Sequence, residues 1–141
     1  MKYEKLKLNF PISEIFFLKY RKYLKEKRCY DNIAKIILNM SYEDIQKFKD
    51  IEIVFGAIEI FPENYLYAKH CFLKNKDEVI DPTFLFFNKK ENPKYIEIKS
   101  FSINEYFEAL ENCNYYSDLH KIMNPIFEKA IKELNGIILC G

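Results

Sequence analysis

The sequence lacks several features that define common protein classes. It has no tryptophan, 3 glycines and 2 histidines among 141 residues, and no glycine-rich loop of the kind that holds phosphate groups. Its apolar runs are far shorter than the roughly 20 residues of a membrane-spanning helix, and it shows no secretory signal at the N-terminus. We therefore expect a cytoplasmic protein with no membrane partner.

The 4 cysteines are few and scattered, and they form no Cys-x-x-Cys pair. They are Cys29, Cys71, Cys113 and Cys140, and the two histidines are His70 and His120. This pattern argues against a disulfide scaffold and against a structural zinc site. We predict that the protein needs no metal and no cofactor.

The composition is that of a globular protein, with 49% hydrophobic and 30% charged residues, 13 Phe and 11 Tyr. A chain of this length can bury one core, so we predict a single domain over residues 1–141. The formal charge is only +1, yet residues 1–50 carry 12 Lys or Arg against 7 Asp or Glu. We interpret the basic residues from Lys19 to Arg28 as a solvated helix face rather than a nucleic-acid contact.

Apolar periodicity predicts helices at both ends of the chain and strands between them. Helical repeats cover residues 11–27, 29–40, 41–50, 103–112 and 117–136, and Pro125 is expected to break or kink the last helix. Aromatic and β-branched runs predict strands at 51–61, 65–73, 79–87 and 94–101, with an edge strand at 137–141. The expected fold class is α+β, with helices flanking a mostly antiparallel sheet of about four to five strands.

Two of these strands should form a hairpin that carries a histidine and an aspartate. A turn centred on Asn75 to Asp77 places His70 opposite Asp81 or Pro82, so that the Asp81 carboxylate can accept a hydrogen bond from the imidazole. Asp81 would then orient the ring and stabilise its charged form. Because side chains alternate along a strand, His70 and Asp81 should face the helix of Cys29, and Cys71 should point away from this site and into the core. The interpretation fails if these faces are reversed.

Cys29 is the thiol best placed to join His70. It opens the second predicted helix, where unpaired backbone N–H groups and the positive end of the helix dipole favour a thiolate, and Lys27 and Arg28 add positive charge. The same N–H groups can stabilise an oxyanion that forms on an attacked carbonyl. We interpret Cys113 and Cys140 as small buried hydrophobes, and His120 as a surface or partly buried helix residue.

The order of these motifs resembles that of the papain-like and transglutaminase-like cysteine superfamily, in particular a set of its small bacterial and phage proteins. The string CYDN at 29–32 is similar to the Cys-x-x-Asn that opens their catalytic helix, and IEIVFGAIEI is similar to their V-x-G strand. KHCF resembles their His-Ala-Trp, and EVIDPTF resembles their V-I-D-x-T. Phe72 stands in place of the Trp and Cys71 in place of the Ala, and no upstream Gln completes the oxyanion hole.

The resemblance implies a papain-like or transglutaminase-like core and a catalytic triad in which Cys29 is the nucleophile, His70 the base and acid, and Asp81 the orienting residue. It implies a thiol-dependent hydrolase or acyltransferase, such as a peptidase, deamidase or transglutaminase, with a protein or peptide substrate. Asn32, one turn after Cys29, either orients the thiol or a substrate or is a structural residue bonded to nearby backbone.

Two other interpretations remain open at this point. In the first, the chain is an inactive relative that serves as an inhibitor or interaction module, with its basic first helix and aromatic residues as the contact surface. Alternatively, Cys29, His70 and Asp81 form a metal site. The sequence does not separate these interpretations from the enzyme.

Overall fold

Helices and strands both contribute to the fold, which confirms the α+β class. The structure is a computed structural model, and it describes residues 3–61, 66–86, 92–113, 118–133 and 137–139. The strands are β1 (Lys5–Leu8), β2 (Glu52–Phe61), β3 (Leu66–Asn75), β4 (Glu78–Ile80), β5 (Lys94–Ser102) and β6 (Ile137–Leu139). The helices are α1 (Phe10–Lys19), α2 (Cys29–Leu38), α3 (Tyr42–Lys47), α4 (Ile103–Glu111) and α5 (Leu119–Glu133).

The sheet closes into a small barrel. Its ring runs β2, β5, β1, β4, β3 and back to β2, and β6 extends one end of β3. The pairings are antiparallel except for β1 with β4 and β3 with β6 among the described residues. The sheet is therefore mostly antiparallel, as predicted, but the β2–β3 pairing closes it into a ring.

Alternating side chains of the five ring strands fill the barrel. This interior cluster contains Leu6, Val54, Phe72, Val79 and Tyr95. A larger cluster lies on the outer face, where helices cover the sheet and bury side chains such as Phe16, Ile33, Tyr106 and Phe127. The barrel thus has an inner apolar face and an outer apolar face, and consecutive residues of one strand belong to different clusters.

Gly56 brings two strands unusually close together beside His70. The β2–β5 register shifts between Phe55 and Gly56, which confirms the predicted bulge or close approach. A Cβ atom on Gly56 would lie 2.0 Å from the carbonyl oxygen of Ile96 and 3.2 Å from the Phe72 ring. Only glycine fits this position, which pairs with His70 across β2 and β3.

Several boundaries differ from the sequence prediction. The helix expected over 11–27 ends at Lys19 and gives way to a short 3-10 turn, Arg21–Tyr23. The strand expected over 79–87 stops at Ile80, because Pro82 cannot donate to a ladder and opens the 3-10 turn Pro82–Phe86. The sequence predicted a break or a kink at Pro125, and α5 continues through this residue without a break. The carbonyl that Pro125 leaves unpaired belongs to Lys121, which is exposed to solvent.

The hairpin register also differs. Leu73 faces Ile80 and Lys74 faces Val79 across β3 and β4, with Lys76 and Asp77 in the turn. Asp81 therefore follows the end of β4 and does not lie opposite His70 in the ladder. None of the helices in the described ranges has the length and apolar character needed to span a membrane.

Candidate active site

One edge of β3 is open next to His70. Among the described residues, β4 pairs with Leu73 to Asn75 and β6 pairs with Leu66 to Ala68, on the side of β3 that faces away from β2. Lys69 to Phe72 have only β2 as a strand neighbour in this part of the chain. The chain that leaves β4 after Ile80 brings the Asp81 carboxylate to this open edge.

His70 and Asp81 form a buried hydrogen-bonded pair. Nε2 of His70 lies 2.7 Å from Oδ2 of Asp81. Asp81 is fully buried, and His70 is 8% exposed. The hydrogen bond expected from the sequence is thus present, but it is made from the loop that follows β4 and not from a cross-strand position.

Three further groups hold the Asp81 residue. The Tyr95 hydroxyl donates to Oδ2 of Asp81 at 2.7 Å, and the Phe84 backbone N–H donates to Oδ1 at 3.4 Å. The Asp81 N–H donates to Oγ of Ser13 at 2.9 Å. The sequence analysis missed both Tyr95 and Ser13, and the only signal for Tyr95 was its place in the strand KYIEIKSF.

The charge of Asp81 holds the pKa of His70 well above its usual value of about 6.5. Burial acts in the opposite direction and is the largest single influence, but the charge of Asp81, the charge of Cys29 and hydrogen bonds to both side chains together outweigh it. Cys29 therefore lies near the ring. Nε2 is bonded to Asp81, so Nδ1 is the ring nitrogen that Asp81 does not occupy.

Cys29 is the first residue of α2, as predicted, and its side chain is half-buried. The first intrahelical bond in this turn is donated by the N–H of Asn32 to the carbonyl of Arg28. Arg28 occupies the N-cap position without a side-chain hydrogen bond to the helix. The N–H groups of the first turn thus have no intrahelical acceptor next to the thiol.

The faces of β3 are not those expected from the sequence. Cys71 is fully buried, as predicted, but it belongs to the outer cluster that contains Ile33 of α2. His70 shares the inner face with Phe72, whose ring lies 6.2 Å from the imidazole in a stacked arrangement. Cys71 therefore points toward the helix side and not away from it, and the assignment of faces was wrong.

Cys29 nevertheless influences both residues. Burial raises the pKa of the Cys71 thiol well above its usual range, and the charges of Cys29 and Asp81 raise it further. Cys29 thus lies close enough to His70 and to Cys71 to affect the pKa of both side chains, although the two point to opposite faces of β3. Cys71 itself stays a protonated thiol and is a poor nucleophile.

Asn32 joins two segments of the site by three hydrogen bonds. Its Oδ1 accepts from the Lys25 N–H at 2.9 Å, and its Nδ2 donates to the Lys25 carbonyl at 2.8 Å and to Oγ1 of Thr83 at 3.0 Å. Both amide hydrogens are used within the protein, so neither is left for a substrate or an oxyanion. The contacts support the structural alternative and correct the tentative substrate role.

The remaining candidate residues lie elsewhere. The Cys113 thiol donates to the Ala109 carbonyl of its own helix at 3.5 Å. Cys140 and the side chain of His120 lie outside the described residues. Within the described ranges, no group of three or more His, Cys, Asp or Glu side chains is arranged to hold a metal ion.

Comparison with family models found no match for this chain, and comparison with curated proteins and with solved structures found none either.

Proposed function

We propose that the protein is a thiol-dependent acyl-transfer enzyme in which Cys29, His70 and Asp81 act as a triad. The observation that carries the proposal is the buried 2.7 Å bond between His70 and Asp81. Cys29, at the start of a helix, lies near enough to the same ring to raise its pKa. A positively charged imidazole stabilises a neighbouring thiolate, and Asp81 keeps the ring charged and correctly turned.

The reaction begins with attack of the Cys29 sulfur on an amide or related carbonyl. The N–H groups of the first turn of α2 stabilise the oxyanion that develops on the carbonyl oxygen. His70 then donates its proton to the leaving amine, and the acyl group stays on the sulfur as a thioester. Water or a second amine attacks the thioester while His70 accepts its proton. The acyl product is released, and the sulfur leaves as the thiolate beside the charged imidazole.

The order of these groups supports a papain-like or transglutaminase-like core as part of this proposal. The cysteine opens a helix, the histidine lies in a strand that packs on that helix, and the aspartate follows the next strand. The Asp81–Pro82–Thr83 segment is held to the cysteine helix through Asn32. Protein or peptide substrates are the expected class for such a site.

Alkylation of Cys29 by iodoacetamide near pH 6 tests the proposal. A free thiol with a pKa of about 8.5 is almost entirely protonated at this pH. We expect Cys29 to react faster than N-acetylcysteine, and His70→Gln to lower its rate by about tenfold or more. Peptide mapping by mass spectrometry separates Cys29 from the other three cysteines.

His120→Gln is the matched control, because it makes the same substitution at the other histidine of the chain. It should leave the rate of Cys29 alkylation unchanged. If Cys29 reacts no faster than the free thiol, and His70→Gln and His120→Gln behave alike, then no activated pair exists and the proposal is wrong.

A non-catalytic interaction module is the second candidate, and exposed apolar side chains favour it. Leu18 on α1 is 68% exposed and Tyr42 on α3 is 75% exposed, and Lys19 joins these two helices through Ser41 and Asp44. Large apolar and aromatic side chains that are exposed in the isolated protein are typical of the centre of protein interfaces. A Cys29→Ala variant that keeps full biological function would favour this candidate over the enzyme.

A further inference from the structure

The segment before Cys29 carries a concentration of positive charge. It contains Arg21, Lys22, Lys25, Lys27 and Arg28, which we call the basic rim, against the single acid Glu26. All five side chains of the basic rim are exposed. Consecutive Cα atoms are about 3.8 Å apart, so the Cα of Lys27 lies within about 7.6 Å of that of Cys29.

Few acids neutralise the basic rim. Arg28 forms an ion pair with Asp31 at 3.2 Å. Lys22, Lys25 and Lys27 have no carboxylate partner among the described residues. Buried Asp81 is already bonded to His70 and Tyr95. The positive charge at the approach to Cys29 therefore remains available to an outside anion.

The backbone of the basic rim is held in place. Asn32 bonds both the N–H and the carbonyl of Lys25, and Lys27 adopts a left-handed conformation with φ 62°. The Arg21 guanidinium lies over the rings of Phe86 and Phe17, at 4.8 and 5.2 Å from their centroids. These contacts fix the backbone at Lys25 and the Arg21 guanidinium, which reduces the entropy that a ligand must overcome.

We propose that the basic rim selects acidic peptides as the substrate class of the Cys29 site. This inference rests on the proposed function, since it assigns a substrate to that thiol. Glutamate or aspartate side chains next to the reacting carbonyl would lie against Lys25 and Lys27 and gain Coulomb energy there. An uncharged or basic peptide would gain none.

The distribution of charge favours a peptide over a nucleic acid. Outside residues 21–28, which contain the basic rim, the chain carries 17 basic against 20 acidic residues, so its overall charge does not favour binding to successive phosphates. Nucleic acids also offer no amide of the kind that the thiol would attack. An acidic peptide satisfies both the charge of the rim and the chemistry of the site.

Two alkylating reagents of different charge test the rim separately from the triad. Iodoacetate is an anion and iodoacetamide is neutral, and both react with the same sulfur, so the ratio of their rates reports the local potential and not the reactivity of the thiol. We expect this ratio at Cys29 to exceed that of N-acetylcysteine at low ionic strength. Lys27→Glu should lower it by about sevenfold, because the substitution changes the charge by two units and each unit about 7 Å away changes the rate ratio by about threefold.

Lys76→Glu is the matched control. Lys76 is also an exposed lysine in a left-handed conformation, with φ 58°, but it lies in the β3–β4 turn, six residues beyond His70 and about 20 Å away along the strand. It should leave the ratio unchanged. The difference between the two variants should vanish at about 1 M salt, where charges are screened within about 3 Å.

Protection of Cys29 by peptides identifies the ligand class. A glutamate-rich peptide should slow alkylation by iodoacetamide, a lysine-rich peptide of the same length should not, and Lys27→Glu should abolish the protection. A ratio equal to that of the free thiol, or equal effects of Lys27→Glu and Lys76→Glu, would overturn the inference. Stronger protection by a single-stranded oligonucleotide would also overturn the inference. If the iodoacetate-to-iodoacetamide ratio at Cys29 responds to Lys27→Glu as expected, but Cys29 reacts with iodoacetamide no faster than the free thiol, then only the triad is overturned.

Discussion

At the scale of single residues, Asp81 decides the charge of the site. Its carboxylate is fully buried, yet Oδ2 accepts hydrogen bonds from both His70 and Tyr95. Burial and the charge of Asp81 raise the pKa of Tyr95 well above its usual range, so the phenol remains a neutral donor. A buried carboxylate with these partners keeps the adjacent imidazole charged, which is the state that a thiolate needs beside it.

Asp81→Asn should therefore lower the pKa of His70. The substitution keeps the shape of the side chain but removes the charge that opposes burial, so the pKa should fall from its raised value to about 6.5 or below. NMR titration of the His70 ring protons measures it directly. Cys29→Ser should be present in both proteins, so that the imidazole titrates without a neighbouring thiol.

A His70 pKa that Asp81→Asn leaves unchanged would contradict this assignment. Ser13→Ala provides a comparison, since it removes a hydrogen bond to the Asp81 backbone and leaves the carboxylate in place. It should change the His70 pKa far less than Asp81→Asn.

The residues of the pair could be predicted from sequence because local rules select them. Cys29 lies at a helix start, and His70 and Asp81 lie on either side of a tight turn, so short motifs contain the information. Tyr95 and Ser13 come from β5 and α1, and they meet Asp81 only because the barrel closes. No local pattern in the sequence carries that long-range contact.

At the scale of elements, Asn32 connects the helix of the thiol with the segment of the aspartate. It is 1% exposed and links α2, the chain at Lys25 and the 3-10 turn that begins at Pro82. The same turn packs against α1, where the rings of Phe17 and Phe86 lie 5.0 Å apart. The distance between Cys29 and Asp81 thus depends on a contact between elements that are far apart in sequence.

Thr83→Val should loosen this connection. Valine has nearly the shape of threonine but leaves the Nδ2 hydrogen of Asn32 unpaired and buried, which should cost about 1–3 kcal/mol of unfolding free energy. Thr83→Ser keeps the hydroxyl, and the loss of one methyl group should cost about 0.8 kcal/mol. Chemical denaturation measures both values.

Alkylation separates positioning from stability. The effect of His70→Gln on the rate of Cys29 alkylation is measured in both Thr83 variants. If the Asn32–Thr83 bond aligns Cys29 with His70, His70→Gln should slow alkylation by a smaller factor in Thr83→Val than in Thr83→Ser. An equal factor in the two backgrounds would show that the bond contributes to stability alone. Asn39→Ala is a control on the same helix, since Asn39 is exposed and bonds only the carbonyl of Lys35 through its side chain.

The sequence predicted most elements but not how β4 ends. The helices predicted from apolar spacing over 29–40 and 41–50 are present as α2 and α3, and Ser41 caps α3 by accepting from the Asp44 N–H. The short β1, Lys5–Leu8, was missed because four residues in which Lys and Leu alternate are too few to identify a strand. The hairpin register depends on which residues occupy the turn, and one or two positions of error moved Asp81 from the strand to the loop.

At the scale of the whole molecule, the closed barrel explains the wrong assignment of faces. In an open sheet with helices on one side, the helix side and the apolar core are the same face. Here β3 has an apolar interior on one face and the helix-covered cluster on the other. Alternation correctly separated His70 from Cys71, but only the closure of the sheet decides which of them faces α2.

Folding stability should decrease as pH rises above about 6.5. The native pKa of His70 lies well above the value of an unfolded histidine, so protonated His70 stabilises the native state fully below about pH 6.5. Between that pH and the native pKa, the native protein binds more protons than the unfolded chain. The contribution is then lost with pH at up to about 1.4 kcal/mol per pH unit.

Denaturant unfolding between pH 6 and 8 measures this loss in the protein with Cys29 in place, since the thiol contributes to the raised His70 pKa. The range should end at pH 8, since burial also raises the pKa of Cys71 and an unfolded thiol begins to ionise above it. Asp81→Asn is the matched variant, because it removes the charge that raises the His70 pKa. Its stability should be nearly constant over the same range, and a slope equal to that of the protein with Asp81 would mean that His70 is not charged in the folded state.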